Sequence, residues 1–499
     1  MSSFASQCGL DTAERQAAVT HTTQVLRASG IELVRLAWCD VHGVTRCKTL
    51  VTEAAIEALH NGVGMVSTLL LKDTSDRTAF KVFEASITDE LPGFEFASNL
   101  LLIPDPKSLR ILPWVDKTAW LQCQPWFQNA QPVALDSRYQ LQLALARLAD
   151  QGLGMVCGLE IEFHIYRLQN ATHGKDLDPD LAAWPGRAPQ VSMIHPGYRL
   201  LSENDMDQCE EPLRIVQRTA QGLGLPLLSL EIEFGPSQVE AVFGATDALT
   251  AADNMVLFRN AVRQALRRAG YHATFMCRPP FQHIMSSGWH LHQSLMSLHD
   301  GRNVMVRDEA APHTQANDAR HTLSDLGAHY LAGLLEHAQG STLLCTPTAN
   351  GYGRFQPNAL APQAIVWGRD NRGAMLRVVG LAGDSATRIE NRLGEPAANP
   401  YLYMASQIHA GLAGLAQQSL PPLATEAPYQ NPETNATNTR IPSNLGEALS
   451  AFHADSAMAQ GFGDTFVHYY SRIKQAEHQR FEAAEDTLEF QRREYFARI

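Results

Sequence analysis

"GMVCGLEIEFHIY" (residues 154–166) and "PLLSLEIEFGPSQVEAVF" (residues 226–243) carry the same tetrapeptide, EIEF, inside otherwise apolar runs. In a β-strand successive side chains point to opposite faces, so Glu160 and Glu162 share one face while Ile161 and Phe163 take the other. For either copy alone, a half-exposed strand with its acidic face in water is the simpler reading. Both copies lie in long hydrophobic surroundings, however, and a buried, unpaired carboxylate costs several kcal/mol. A divalent cation offsets that cost economically, provided the rest of the chain supplies further ligands.

Helices lead into these strands. Asp136 is placed to cap "SRYQLQLALARLADQ", which ends at Gly152 just before the first EIEF. "EEPLRIVQRTAQGLG" leads into the second, and "TAADNMVLFRNAVRQALRRAG" leads into "HATFMC". Helices alternating with strands of antiparallel character predict an α+β catalytic domain rather than a doubly wound sheet. Upstream, residues 11–29 read as a helix, "IELVRLAWCDVHGVTRCKTLV" as two strands joined at His42 and Gly43, and "SNLLLIPD" as a further strand. The expected organisation is a small mixed α/β domain over 1–115 and a large α+β domain over 116–499. The stretch "PPLATEAPYQNPETNATNTRIPSN" reads as a long exposed loop, and the charged C-terminal region as helical.

Composition narrows the function classes. The 499 residues are 45% hydrophobic and 18% charged, as in an ordinary globular protein, and the formal net charge of −12 argues against a nucleic-acid binder. Eight scattered cysteines without a CxxC pair suggest reduced thiols and a cytoplasmic protein. No signal-like N-terminus and no membrane-spanning run stand in the sequence.

After the second EIEF the chain turns at Gly235 and Pro236, which brings Glu240 back close behind Glu233. "SSGWHLHQSL" places His290 and His292 on one face of a predicted strand, although an HxH alone is more often core or surface than ligand. "NGYGRFQP", "GRDNRGAMLRV" and "ATRIENRLGEPAANPY" then supply Arg354, Arg372, Arg377, Arg388 and Arg392, with Glu390 between the last two. A solvated face is the plain reading of any one arginine. The cluster suits phosphoryl oxygens and a substrate carboxylate better. GxxxxGK[ST], GxGxxG after a strand, and GxSxG are all absent, which leaves carboxylates, imidazole and guanidinium groups as the means of stabilising a transferring phosphoryl group.

The order of these motifs resembles the glutamine synthetase family, in its type I branch and the related γ-glutamyl-amine ligases. The resemblance runs from about residue 30 to the end through "SNLLLIPDPKSLRILPW", the ExE strand, GPxQxE, GxHxHxSL, NxYxR, NRxAxxR and "RIENRLGEPAANPYL". It implies a β-grasp-like N-terminal domain and a ring-shaped homo-oligomer, a dodecamer, with sites shared between neighbours. It also implies two divalent ions, one on Glu162, Glu233 and Glu240 and one on Glu160, His290 and Glu390. Oxygen-rich donor sets of this kind point to Mg2+ or Mn2+ rather than zinc. His292, Ser294, Arg377 and Arg388 match positions that contact ATP, Arg354 matches the clamp on the glutamate α-carboxylate, and Arg372 and Arg392 match residues facing the phosphoryl group and γ-carboxyl. The implied reaction phosphorylates L-glutamate and then forms an amide with an amine.

Three positions depart from the family pattern. Asn-Gly ahead of the SGxH motif is replaced by Met285 and Ser286, so that only the Ser286 backbone remains for glutamate. The flap glutamate of ammonium-using members, six residues past the NxYxR arginine, is Leu360. An aspartate of the first domain is replaced within "NGVGMVSTLL", where Met65 stands nearest. Losing both carboxylates removes the attraction for a small cation and the base that would deprotonate it. The expected acceptor is a small, largely neutral primary amine with apolar surface, such as aniline or a short alkylamine. An ammonium-using synthetase and a catalytically silent relative are the rivals. Tyr429, near where some relatives are adenylylated, reads as a surface residue.

Overall fold

A computed structural model describes residues 2–169, 182–309, 311, 314–356, 360–429 and 440–499. The expected hairpin forms first, with β1 (Leu33–Cys39) and β2 (Thr45–Val51) antiparallel and Cys39 opposite Thr45. Its turn needs Gly43, whose φ of +74° is one that other residues rarely adopt. β3 (Val63–Val66), β4 (Asn99–Pro104), β5 (Arg110–Ile111) and β6 (Thr118–Trp126) complete a sheet of order β2-β1-β6-β4-β3, with β5 on β6. β1 and β6 run parallel. The helix expected at 11–29 spans Ala13–Ala28. The sheet continues past residue 115, because "TAWLQC" is an interior strand and the Pro113–Trp114 stretch only turns the chain from β5 into it.

The second sheet is built on β7 (Leu153–Leu168), a 16-residue strand holding the first EIEF. β8 (Val191–Met193), β9 (Leu227–Ile232), β10 (Gln238–Asp247), β11 (Tyr271–Thr274), β12 (Trp289–Ser297), β13 (Trp367–Arg369), β14 (Leu376–Val379) and β15 (Arg388–Gly394) follow. Their order is β13-β14-β15-β12-β7-β10-β9, with β8 and β11 also on β7, and every pairing is antiparallel except β13 with β14.

The alternation read from the sequence holds. Leu159, Ile161 and Phe163 are buried, and Phe163 stacks on Phe275 at 4.8 Å and meets Phe258 edge-on at 6.0 Å. Phe258 lies on the helix Ala248–Arg268, which therefore backs the apolar face of β7 and leaves the glutamates to the other face. Asp136 caps Ser137–Ala149 by accepting from the Tyr139 N–H at 2.9 Å. Residues 421–429 form no regular element and are pinned to β13, where Thr425 N–H donates to Trp367 O at 2.9 Å. Residues 430–439 of the expected loop lie outside the described residues. No helix among the described residues is long and apolar enough to cross a membrane.

The buried Arg259 ties the two sheets together, donating to Gly43 O at 2.5 Å, Pro396 O at 2.8 Å and Ala398 O at 3.0 Å. A Cβ on Gly43 would stand 2.3 Å from an Arg259 nitrogen. Gly43→Ala is expected to lower unfolding stability by about 1–3 kcal/mol, read as a lowered denaturant midpoint.

Candidate active site

Backbone register brings the predicted ligands to one face. Glu162 stands opposite Glu240 across β7 and β10, and His290 opposite Glu160 across β7 and β12. His292 faces Glu390 across β12 and β15, and Glu390 faces Arg377 across β15 and β14. Glu233 follows β9 directly, its N–H donating to Gln238 O at 3.0 Å across the Gly235–Pro236 turn. Carboxylates set directly opposite each other destabilise a strand pair unless a cation joins them.

The six side chains divide into two electrostatic environments. Burial, and then Glu233, push the Glu162 carboxyl up to about 7, and burial with Glu162 and Glu233 pushes Glu240 up to about 10. Glu233 is raised as well, chiefly by burial. Glu160 and Glu390 go the other way. Burial opposes their ionisation, but His290 and His292 hold Glu160 far below the usual range, and His290 and Arg392 lower Glu390. His290 Nδ1 lies 3.2 Å from Glu160 and 3.7 Å from Glu390, and His292 Nε2 is 2.9 Å from Glu160. Arg377 and Arg392 grip the fully buried Glu390 at 2.9 and 2.5 Å. Burial, then Arg392, lower the His290 imidazole to about 4, which leaves it neutral with a lone pair to donate.

Hard oxygens with neutral imidazole fit a divalent cation. Ligating atoms within 4.8 Å of one another form two groups, Glu160 with Glu240 and His290, and Glu160 with His292 and Glu390. This differs from the partition expected from the sequence. Glu160 belongs to both groups, His292 stands beside the carboxylates rather than only toward a nucleotide, and Glu162 accepts through one oxygen from Gly288 N–H at 2.8 Å and Gln238 Nε2 at 3.1 Å while its other oxygen lies 3.7 Å from His290 Nε2.

The remaining predicted residues separate. Arg354 is buried beside the cluster, where its Nη1 donates to Arg392 O at 2.9 Å and Gly394 O at 3.2 Å. It can pack there because residue 288 is glycine; a Cβ would meet Arg354 at 2.5 Å and His290 at 3.1 Å. Arg388 donates to His292 Nδ1 at 3.0 Å, and Ser294 follows His292 on the same face of β12. Ser286 O accepts from Gln238 Nε2 at 3.2 Å. Arg372 is exposed at the rim of a cavity of about 460 Å³ with Arg369, Asp370 and Glu426, and makes no ion pair among the described residues. Leu360 is exposed beyond the Arg354 turn. Met65 is not available to an amine pocket within its own chain, since it is the inward-facing residue of β3 and is only 2% exposed. Trp289 points into the core as a regular strand requires, edge-on to Tyr403 at 5.0 Å.

Two residues that organise the site were given no role in the sequence reading. Gln238 accepts from Gly235 N–H at 2.8 Å and donates to Glu162, Ser286 O and Ser287 Oγ. Glu395 accepts from Thr348 N–H at 2.8 Å and Thr348 Oγ1 at 2.9 Å, bracing the loop that leads to Arg354. Both stand inside the quoted motifs, GPxQxE and "RIENRLGEPAANPY", but nothing in their spacing distinguishes a brace from a ligand.

Residues 134–493 match the family of glutamine synthetase catalytic domains. With the site's carboxylates, imidazoles and arginines, that match defines the class, an ATP-dependent ligase. The chain belongs to the glutamine synthetase family and is a γ-glutamyl ligase of that family. It is 35% identical to a γ-glutamylanilide synthase of Acinetobacter sp., covering 94% of this chain and 93% of that protein. It is 30% identical to a γ-glutamylethanolamide synthetase of Streptomyces coelicolor, with 94% of each covered. Among solved structures, a GmaS–ADP complex superposes with a TM-score of 0.75 at 26% identity, covering 94% of this chain and 98% of that one.

The raised carboxyls give a pH test. A group whose pKa lies higher in the fold than its ordinary 4.5 favours the fold while protonated and loses that contribution as pH rises through the folded value. Metal-free protein is expected to lose thermal stability from about pH 6.5 to about pH 8.5, above the range in which His290 titrates. Glu240→Gln should flatten that fall, and divalent metal should abolish it in the unsubstituted protein only. Equal slopes for both metal-free proteins in differential scanning fluorimetry would refute this account.

Proposed function

We propose that the protein joins the γ-carboxyl of L-glutamate to a weakly basic, apolar primary amine at the expense of ATP, as a γ-glutamyl-amine ligase and in particular a γ-glutamylanilide synthase. The observation that carries the choice of amine is Leu360, exposed where ammonium-using members hold a carboxylate. The 35% identity to a γ-glutamylanilide synthase supports it.

In this reading a γ-carboxylate oxygen attacks the terminal phosphorus of ATP, and ADP leaves. The amine nitrogen then attacks the acyl carbon, phosphate departs with the bonding electron pair, and the nitrogen sheds a proton. Two Mg2+ or Mn2+ ions, one beside Glu160, Glu240 and His290 with Glu162 and Glu233 adjoining and one beside Glu160, His292 and Glu390, would supply positive charge against the phosphoryl oxygens. His292, Ser294, Arg377 and Arg388 hold the nucleotide. Arg354 clamps the glutamate α-carboxylate, the Ser286 carbonyl accepts from its ammonium, and Arg392 and Arg372 face the transferred group. Arg392 is already oriented by Glu390, and Arg354 by the carbonyls it donates to, so neither must be ordered when substrate arrives.

An apolar acceptor site needs no base as strong as ammonium requires, because an arylamine reaches it neutral. A cytoplasmic setting accords with eight cysteines that are all unbridged. A homo-oligomeric ring, a dodecamer sharing its sites between subunits, accords with the exposed Leu228 on β9 and Leu201 beside it.

Phosphate release with glutamate and ATP is expected to show higher kcat/KM with aniline than with ammonium, isopropylamine, ethanolamine or putrescine. Leu360→Glu should shift the preference toward ammonium by about tenfold or more. Ammonium prevailing in the unsubstituted protein would make it a glutamine synthetase instead. Omission of divalent metal, or Glu233→Ala, should reduce turnover by at least about a hundredfold.

A further inference from the structure

The helix Thr487–Gln491 runs without a break into a π-helical turn, Arg492–Phe496. Such turns are rare and concentrate at functional sites. Here the turn buries three consecutive side chains, Glu494, Tyr495 and Phe496, more than one face of an α-helix offers.

Glu494 anchors it. Its carboxylate takes Arg480 and the Thr74 hydroxyl, each at 2.6 Å, and Arg480 reaches on to Asp73 at 3.0 Å. The turn is thus fixed both to the helix Asp464–Glu482 and to the segment that follows β3.

From this anchor two side chains reach the loops behind the active site. The Tyr495 hydroxyl donates to Glu477 at 2.5 Å and accepts from Ala349 N–H at 3.3 Å, while Glu477 is held by Lys474 at 2.7 Å. Gln491 Oε1 accepts from Asn350 Nδ2 at 2.6 Å. Asn350 in turn bonds Arg278 in both directions, accepting from its N–H at 2.8 Å and donating to its carbonyl at 3.0 Å. Ala349 and Asn350 lead straight into the turn Gly351–Arg354, and Arg278 opens the loop that ends at Ser286 and Gly288. Arg492 adds a bond to Pro280 O at 3.3 Å in that same loop.

We propose that Gln491 and Tyr495 are positioning residues: they form a strut that holds the Arg354 turn and the 278–288 loop at a fixed separation, and so sets the width of the glutamate site. The family match ends at residue 493, so Tyr495 lies beyond the segment it covers. Among the described residues Gln491 and Tyr495 hydrogen-bond to no candidate metal ligand and to no group assigned to ATP. Its effect on turnover rests on the reading that Arg354 and Ser286 face glutamate.

Tyr495→Phe removes one hydroxyl and keeps the ring; Gln491→Leu removes the acceptor, and Gln491→Glu restores it. Tyr495→Phe and Gln491→Leu are expected to speed amide hydrogen exchange in 278–288 and 348–356. They should also raise KM for glutamate roughly fivefold, the loss of about one hydrogen bond, with KM for ATP and kcat within about twofold. Gln491→Glu should return both readouts toward the unsubstituted protein.

Unchanged exchange in the two loops overturns the strut whatever the acyl donor proves to be. Faster exchange with an unchanged KM for glutamate overturns its role in the glutamate site. A uniform loss of kcat and melting temperature without the KM split reduces both residues to general stabilisers and overturns the proposal. Absence of glutamate turnover in the unsubstituted protein sinks the function proposed above and, with it, the glutamate-site role, while the exchange measurement still decides the strut itself.

Discussion

Glutamate facing glutamate across hydrogen-bonded strands is the constraint around which this molecule is organised. Glu162 opposes Glu240, and Glu240 opposes Glu231 on its other side, in a register the backbone cannot change locally. On the β10 side a retained proton or a bound cation can relieve that opposition, and the carboxyls there are raised. On the β15 side Arg377 and Arg392 relieve it from within the chain, and Glu390 is lowered. One sheet face therefore holds two kinds of carboxylate, one set waiting for positive charge and one already supplied with it.

That division bears on the chemistry. Arginines committed to Glu390 and to backbone carbonyls are rigid before any substrate is present, so their charge acts without reorganisation. Glycine at position 288 matters for the same reason, because it lets Arg354 and His290 approach the backbone that carries Glu162's amide donor. The site draws its order from strands and its charge from side chains that already have partners.

What the sequence made legible follows from periodicity. Alternation in EIEF places four side chains correctly on two faces, and the HxH of β12 falls on the ligand face by the same period of two. Helix boundaries near Asp136 and Gly152 follow local capping chemistry. The burial of Met65 is not legible in the sequence, because a four-residue strand gives no period from which to tell inward from outward. The place of β6 inside the first sheet is not legible either, because the proline and tryptophan ahead of it read locally as a break in the chain. Gln238, Glu395, Arg259 and Tyr495 stayed invisible because their partners lie far off in the chain, and no local pattern encodes a long-range partner.

The 16-residue length of β7 has a consequence for how such a protein can diversify. Both glutamates of the first EIEF, and through pairing those of β10 and the histidines of β12, are indexed to this one strand. A single insertion within it would rotate the ligand set into the apolar core and the core into the ligand face. Change is thereby channelled into connecting segments such as the one bearing Leu360, while β7 tolerates substitution only in step with its neighbours.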